Sequence, residues 1–112
     1  MPRNRVLATP EVKQYLNNLI FILHKKEYFG FRESAREYVI ELIKNITGSL
    51  PRHSYKSAPE YFDRYGKDMH YATFKKNKQT SWYVFFTKYL DNGETIYLIR
   101  YIANNHTVAQ YL

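Results

Sequence analysis

The stretch that decides the fold is Ser81-Trp82-Tyr83-Val84-Phe85-Phe86-Thr87-Lys88-Tyr89-Leu90-Asp91-Asn92-Gly93-Glu94-Thr95-Ile96-Tyr97-Leu98-Ile99-Arg100-Tyr101-Ile102. β-Branched and aromatic residues fill both arms, and the Asn92-Gly93 pair between them tolerates the positive φ of a tight hairpin. Two antiparallel strands are predicted, Ser81 to Tyr89 and Thr95 to Ile102. Trp82, Val84 and Phe86 fall on one face, Tyr83 and Phe85 on the other. Both faces are apolar or aromatic, so part of the sheet is expected to be covered twice or to end in a binding surface.

Working backwards, Tyr71-Ala72-Thr73-Phe74 reads as a preceding strand, joined to the next by a turn at Lys76-Asn77-Lys78-Gln79. Before it, Ser49 to Gly66 has no period and is punctuated by proline, serine and glycine. Its Tyr55, Tyr61, Phe62 and Tyr65 predict a long ordered connection packed on the domain, with a short helical turn over Pro59 to Tyr65. Two helices precede it. Thr9-Pro10 is a helix start, and Val12, Tyr15, Leu16, Leu19, Ile20 and Leu23 follow at spacings of three and four. That pattern fades at His24-Lys25-Lys26, and Gly30 closes the unit.

Ser34-Ala35-Arg36-Glu37 has the form of a capping box, with Phe31 and Arg32 as candidates for an earlier turn. Ala35, Tyr38, Val39, Leu42, Ile43 and Ile46 repeat the stripe, with Gly48 as the expected stop. Val6-Leu7 is a candidate edge strand. The expected fold is α+β: a short N-terminal strand and an αα-hairpin packed on a small, mainly antiparallel sheet, residues 1–112 forming one domain.

With 112 residues, 17 Lys and Arg against 10 Asp and Glu, 12 Tyr and 7 Phe, the chain carries +7. Basic and aromatic content together point to an anionic partner, nucleic acid first. Zero cysteines exclude a disulfide framework, a thiolate zinc site and a cysteine nucleophile. The four histidines, at 24, 53, 70 and 106, lack the short pairings of a zinc site, and no metal or other cofactor is expected. Leu19 to Leu23 is too short an apolar run for a membrane span. No signal-peptide apolar region follows Met1-Pro2-Arg3-Asn4-Arg5, so a soluble cytoplasmic protein is expected.

The chemistry-bearing residues gather on the sheet and its turns: Tyr71, Lys75, Lys76, Lys78, Arg100, Tyr101, His106 and Tyr111. Metal-free RNA cleavage needs a base for the 2′-OH, cations for the charge at phosphorus and an acid for the leaving 5′ oxygen; rings can stack on unpaired bases. Lysines around a hairpin also serve as an ordinary solvated turn. Arg100, inside an apolar run, is either salt-bridged to a helical glutamate or presented to an anion.

The opening T-P-E-V-K-Q-Y-L, the second helix, the basic connection, then Y-A-T-F, W-Y-V-F-F and I-Y-L-I-R-Y-I-A-N-N-H together resemble the RelE/ParE superfamily of toxins from type II toxin–antitoxin systems. The resemblance covers almost the whole chain. It implies a toxin that cleaves mRNA on the ribosome, with Arg100 and His106 as catalytic residues. Tyr71, Lys75, Lys76, Lys78, Tyr101 and Tyr111 would bind RNA or assist. The ParE-like alternative is a non-enzymatic inhibitor of DNA gyrase, and a third is a non-catalytic remnant that binds only its antitoxin. The resemblance also implies that antitoxin, an acidic segment wrapping the sheet and helices. Asn104-Asn105-His106-Thr107 departs from the HigB-like branch, where the histidine commonly follows threonine and has a tyrosine soon after.

Overall fold

The computed structural model describes residues 3–25 and 32–112; the expected closure at Gly30, with Lys26 and Phe31, lies outside the described residues. In chain order the elements are β1 (Arg3–Ala8), α1 (Pro10–Lys25), α2 (Arg32–Ser49), β2 (Lys56–Ser57), β3 (His70–Lys75), β4 (Ser81–Asp91), β5 (Glu94–Asn104) and α3 (Asn105–Val108). Short 3₁₀ turns occupy Leu50–Arg52, Glu60–Tyr65 and Ala109–Tyr111. The five strands form one mixed sheet in the order β1-β5-β4-β3-β2, with β1 parallel to β5 and the other pairs antiparallel.

α1 starts as its sequence dictates: Thr9 Oγ1 accepts from the Val12 N–H at 3.3 Å, and Pro10 supplies a first residue that needs no partner for a donor. α2 includes the earlier turn that Arg32 suggested and runs past Gly48. Arg32 and Glu33 are already helical, so Ser34 lies inside the first turn and is not the cap. Gly48 also lies inside, and the helix passes at Ser49 into the 3₁₀ turn containing Pro51, whose missing N–H cannot continue an α-helix.

Val12, Leu19, Leu23, Ala35, Val39, Leu42 and Ile46 of the two stripes are buried against Phe74, Trp82, Val84, Phe86, Ile99 and Ile102 of the sheet. The Trp82 indole, buried in this layer, donates to the Tyr38 hydroxyl at 2.9 Å, so its N–H is not stranded. The opposite face has its own core. Phe62 of the connection stacks on Phe85 with ring centroids 4.3 Å apart, and Met69, Ala103 and Val108 close round them. The second covering expected of a doubly apolar sheet is thus supplied by residues 58–69 and α3.

The expected ordered connection contains one element that the sequence did not signal, β2, whose Lys56 and Ser57 pair with Tyr71 and His70. Two polar residues carry no alternation to read. The β4–β5 turn is as expected, with Asn92 at φ 48° and Gly93 at φ 78°, both positive as a type I′ hairpin requires. Among the described residues no helix is long and apolar enough to cross a membrane.

Candidate functional site

The β4–β5 ladder slips once. Phe85 faces Tyr101 and Phe86 faces Ile99, leaving Arg100 as the extra residue of a bulge on β5. A bulge breaks the two-residue alternation, so Arg100 is freed from the ladder while Ile99 and Ile102 both stay in the helix-side core. The Arg100 Nε donates to Thr87 Oγ1 at 3.0 Å and its Nη2 to the Tyr89 hydroxyl at 2.6 Å. Among the described residues the only ion pair is Arg5–Glu94 at 3.7 Å, so Arg100 is held by hydroxyls and its charge is not neutralised by a helical glutamate. A guanidinium has five N–H donors, and the remaining ones are available to an anion.

Beside Arg100 the sheet edge is open. β1 stops at Ala8, opposite Ile99, and the chain turns away into α1. The vacated edge is a cleft of about 530 Å³ lined by Glu11, Tyr15, Arg64, Tyr65, Arg100 and Tyr101, among others. Tyr65 and Tyr101 stack in parallel, 3.8 Å apart and 5° from coplanar. Next to them Tyr61 stacks on Tyr111 at 3.6 Å and 3°, with the Arg64 guanidinium 3.9 Å over the Tyr61 ring.

Burial, helped by a hydrogen bond with Tyr65, pushes the Tyr101 phenol far above its ordinary value. Burial also raises Tyr15, and a hydrogen bond with Tyr61 raises Tyr111. These phenols therefore stay protonated at neutral pH and serve as hydrogen-bond donors, not bases. Two arginines, a set of protonated tyrosines and flat stacked rings suit a phosphate with an attached planar base.

The structure brings only some of the sequence candidates to this place. Arg100 and Tyr101 line the cleft, and Tyr111 adjoins it through Tyr61. His106 is exposed in α3, which Asn105 ties to the β3–β4 turn by accepting from the Ser81 N–H and donating to the Gln79 carbonyl. Four residue steps along β5 separate Asn104 from Arg100, roughly 13 Å at strand rise. Tyr71 is half-buried, its ring 5.5 Å from Phe85, and lines a different cavity with His53, Tyr55 and Tyr83.

Lys75 ends β3 opposite Ser81, two strands across and about 18 Å from Arg100 by strand spacing and rise. Lys75 and Lys76 line a third cavity with the end of α2, and Lys78 is exposed on the turn. Sequence reading did not single out Arg64, Tyr65, Thr87 and Tyr89 for chemistry. The run Arg64-Tyr65-Gly66 in a packed connection was the available signal for the first two. Among the described residues no three His, Asp or Glu side chains are grouped so as to hold a metal ion.

Fold and cleft together define a small α+β domain with two helices on a five-stranded mixed sheet and a cationic, tyrosine-lined cleft at the open sheet edge. No protein-family profile, no curated protein and no solved structure matches the chain.

Proposed function

We propose that this chain is a RelE/ParE-like toxin of a type II toxin–antitoxin pair, acting in the cytoplasm as a metal-free, ribosome-dependent mRNA endonuclease. The observation that carries the reading is Arg100, lifted out of the ladder by a bulge and held by two hydroxyls at the mouth of a tyrosine-lined cleft. An arginine so placed stabilises charge gathering on a phosphate during attack by the neighbouring 2′-OH. Tyr65 and Tyr101 offer donors and a stacking surface. His106, exposed in α3 just beyond the end of β5, is the proton-transfer candidate. The proposed antitoxin brings an acidic segment to a chain of net charge +7.

The test maps transcript 5′ ends after brief induction, with gyrase supercoiling assayed in parallel. New 5′ ends that vanish in Arg100→Ala and in His106→Ala, with folding and antitoxin binding kept, support the proposal; full toxicity of the double variant overturns the assigned site. Gyrase inhibition is the second reading, favoured by Ile22 and Ile40 standing exposed on the helices. Loss of supercoiling without transcript cleavage would select it. Antitoxin binding with neither activity would select the non-catalytic remnant.

A further inference from the structure

The first turn of α1 is pinned beside Arg100. The Thr9 N–H donates at 3.0 Å to the carbonyl of Ile99, the residue before Arg100, and Thr9 in turn holds the helix start by accepting from the Val12 and Lys13 N–H groups. Glu11, two residues on, therefore stands in the wall of the cleft into which Arg100 opens. Among the described residues that line it, Glu11 is the only carboxylate. Its side chain is exposed, and among the described residues it enters no ion pair and no hydrogen bond. Arg64 Nε donates to the Tyr61 carbonyl at 3.0 Å, and Arg100 is held by Thr87 and Tyr89, so neither arginine folds across to neutralise it.

A carboxylate in a first helical turn suits the positive end of the helix dipole. That role asks nothing of the opposite wall, whereas the opposite wall lacks one kind of group that Glu11 supplies. Tyr15, Arg64, Tyr65, Arg100 and Tyr101 complete the titratable lining, and arginine and tyrosine side chains keep their protons at neutral pH. Burial strengthens that hold in Tyr15 and Tyr101. His106 lies beyond the end of β5 and does not line the cleft. Glu11 is thus the one described group in the wall that can take up a proton at neutral pH, and it faces the same space as the two arginines without cancelling them.

We propose that Glu11 is the proton acceptor for the ribose 2′-OH when RNA is cleaved at this cleft, a role that rests on the function proposed above. The carboxylate takes the 2′ proton as the 2′ oxygen bonds to phosphorus. The bond from phosphorus to the 5′ oxygen breaks, leaving a 2′,3′-cyclic phosphate and a 5′-hydroxyl end. Arg100 and Arg64 carry the charge that gathers on the non-bridging oxygens. Base and acid act on opposite sides of phosphorus in an in-line displacement, so the proton for the leaving 5′ oxygen comes from outside the Glu11 wall, the part left to His106. The proton on Glu11 then passes to water and one returns from water to the imidazole, which resets both groups.

The test is single-turnover cleavage of mRNA bound to ribosomes, followed against pH for the parent, Glu11→Gln and Glu11→Asp, with RNA affinity measured in parallel. The parent rate should rise as the carboxylate ionises. Glu11→Gln should be slower by about 100-fold or more and should lack that rise. It should bind RNA at least as tightly as the parent, since it removes a negative charge from a phosphate site. Glu11→Asp should keep the rise and recover part of the rate. Because Glu11 is exposed, both variants should fold, which circular dichroism checks. A Gln variant with the parent's rate and pH dependence overturns the assignment and leaves the function standing. A loss of affinity as large as the loss of rate also overturns it, because Glu11 then reads the RNA and moves no proton. No cleavage by the parent overturns the function, and this role with it.

Discussion

Gly66 and Arg100 share a space that admits only one side chain: a Cβ at position 66 would lie 2.6 Å from Cδ of Arg100 and 3.2 Å from Sδ of Met69. Gly66 has φ 158°, and its backbone lies against the arginine stem. β4 and the connection therefore clamp Arg100 between them, with Thr87 and Tyr89 holding the guanidinium and Gly66 confining the methylenes. Gly66→Ala should cost about 1–3 kcal/mol of stability through overpacking, read as a lower urea midpoint at unchanged slope. A variant as stable as the parent would show that the arginine stem relaxes without cost.

Thr87→Val and Tyr89→Phe each remove one hydroxyl from Arg100 without adding bulk. Both should leave the fold intact, because Thr87 is only half-buried and Tyr89 is exposed. If Arg100 acts on RNA, the double variant should lose at least tenfold in cleavage rate with little change in RNA affinity, since an unpositioned cation still attracts phosphate. Equal loss in affinity and rate would mean that the hydroxyls themselves touch the RNA.

Arg100→Lys should not rescue Arg100→Ala. A lysine ammonium is a point charge and cannot donate to Thr87 and Tyr89 while presenting further donors outward, as the guanidinium fork does. Growth arrest after induction is the readout, and a fully toxic lysine variant would reduce the role of Arg100 to charge alone.

Tyr101 fixes an alkaline limit. Its pKa is raised in the folded state, so both states are protonated below about pH 10, where its contribution is complete. As pH climbs above that value the unfolded chain loses the phenolic proton first, and stability falls until the folded phenol also ionises. Urea midpoints should therefore decline more steeply between about pH 10 and pH 12 in the parent than in Tyr101→Phe. Identical declines would place the titrating group elsewhere.

The elements were legible wherever periodicity and turn chemistry agreed. The helical stripes from Val12 and Ala35, the Asn92-Gly93 hairpin and the edge strand at Val6-Leu7 all occur in the structure. β2 was not legible, since two residues have no period, and neither was the stop of α2, because Pro51 outweighs Gly48. The site was legible only in part. Arg100 stood out as a charge in an apolar run, yet the bulge that orients it depends on pairing between residues far apart in the chain. Lys75, Lys76 and His106 were grouped with it by residue type and by lying on the sheet and its turns, and strand geometry then separates them.

The parallel pairing of β1 with β5 has a consequence for the order in which the molecule is made. Arg3 pairs with Glu94 and Ala8 with Ile99, so β1 waits for β5, which is made some ninety residues later. The helical hairpin has only local contacts to wait for and can form early, but its sheet-facing stripe stays uncovered until the C-terminal hairpin arrives. The cleft takes one wall from Glu11 and Tyr15 and its cationic floor from Arg100. It forms only once residues some ninety positions apart have both been made and paired.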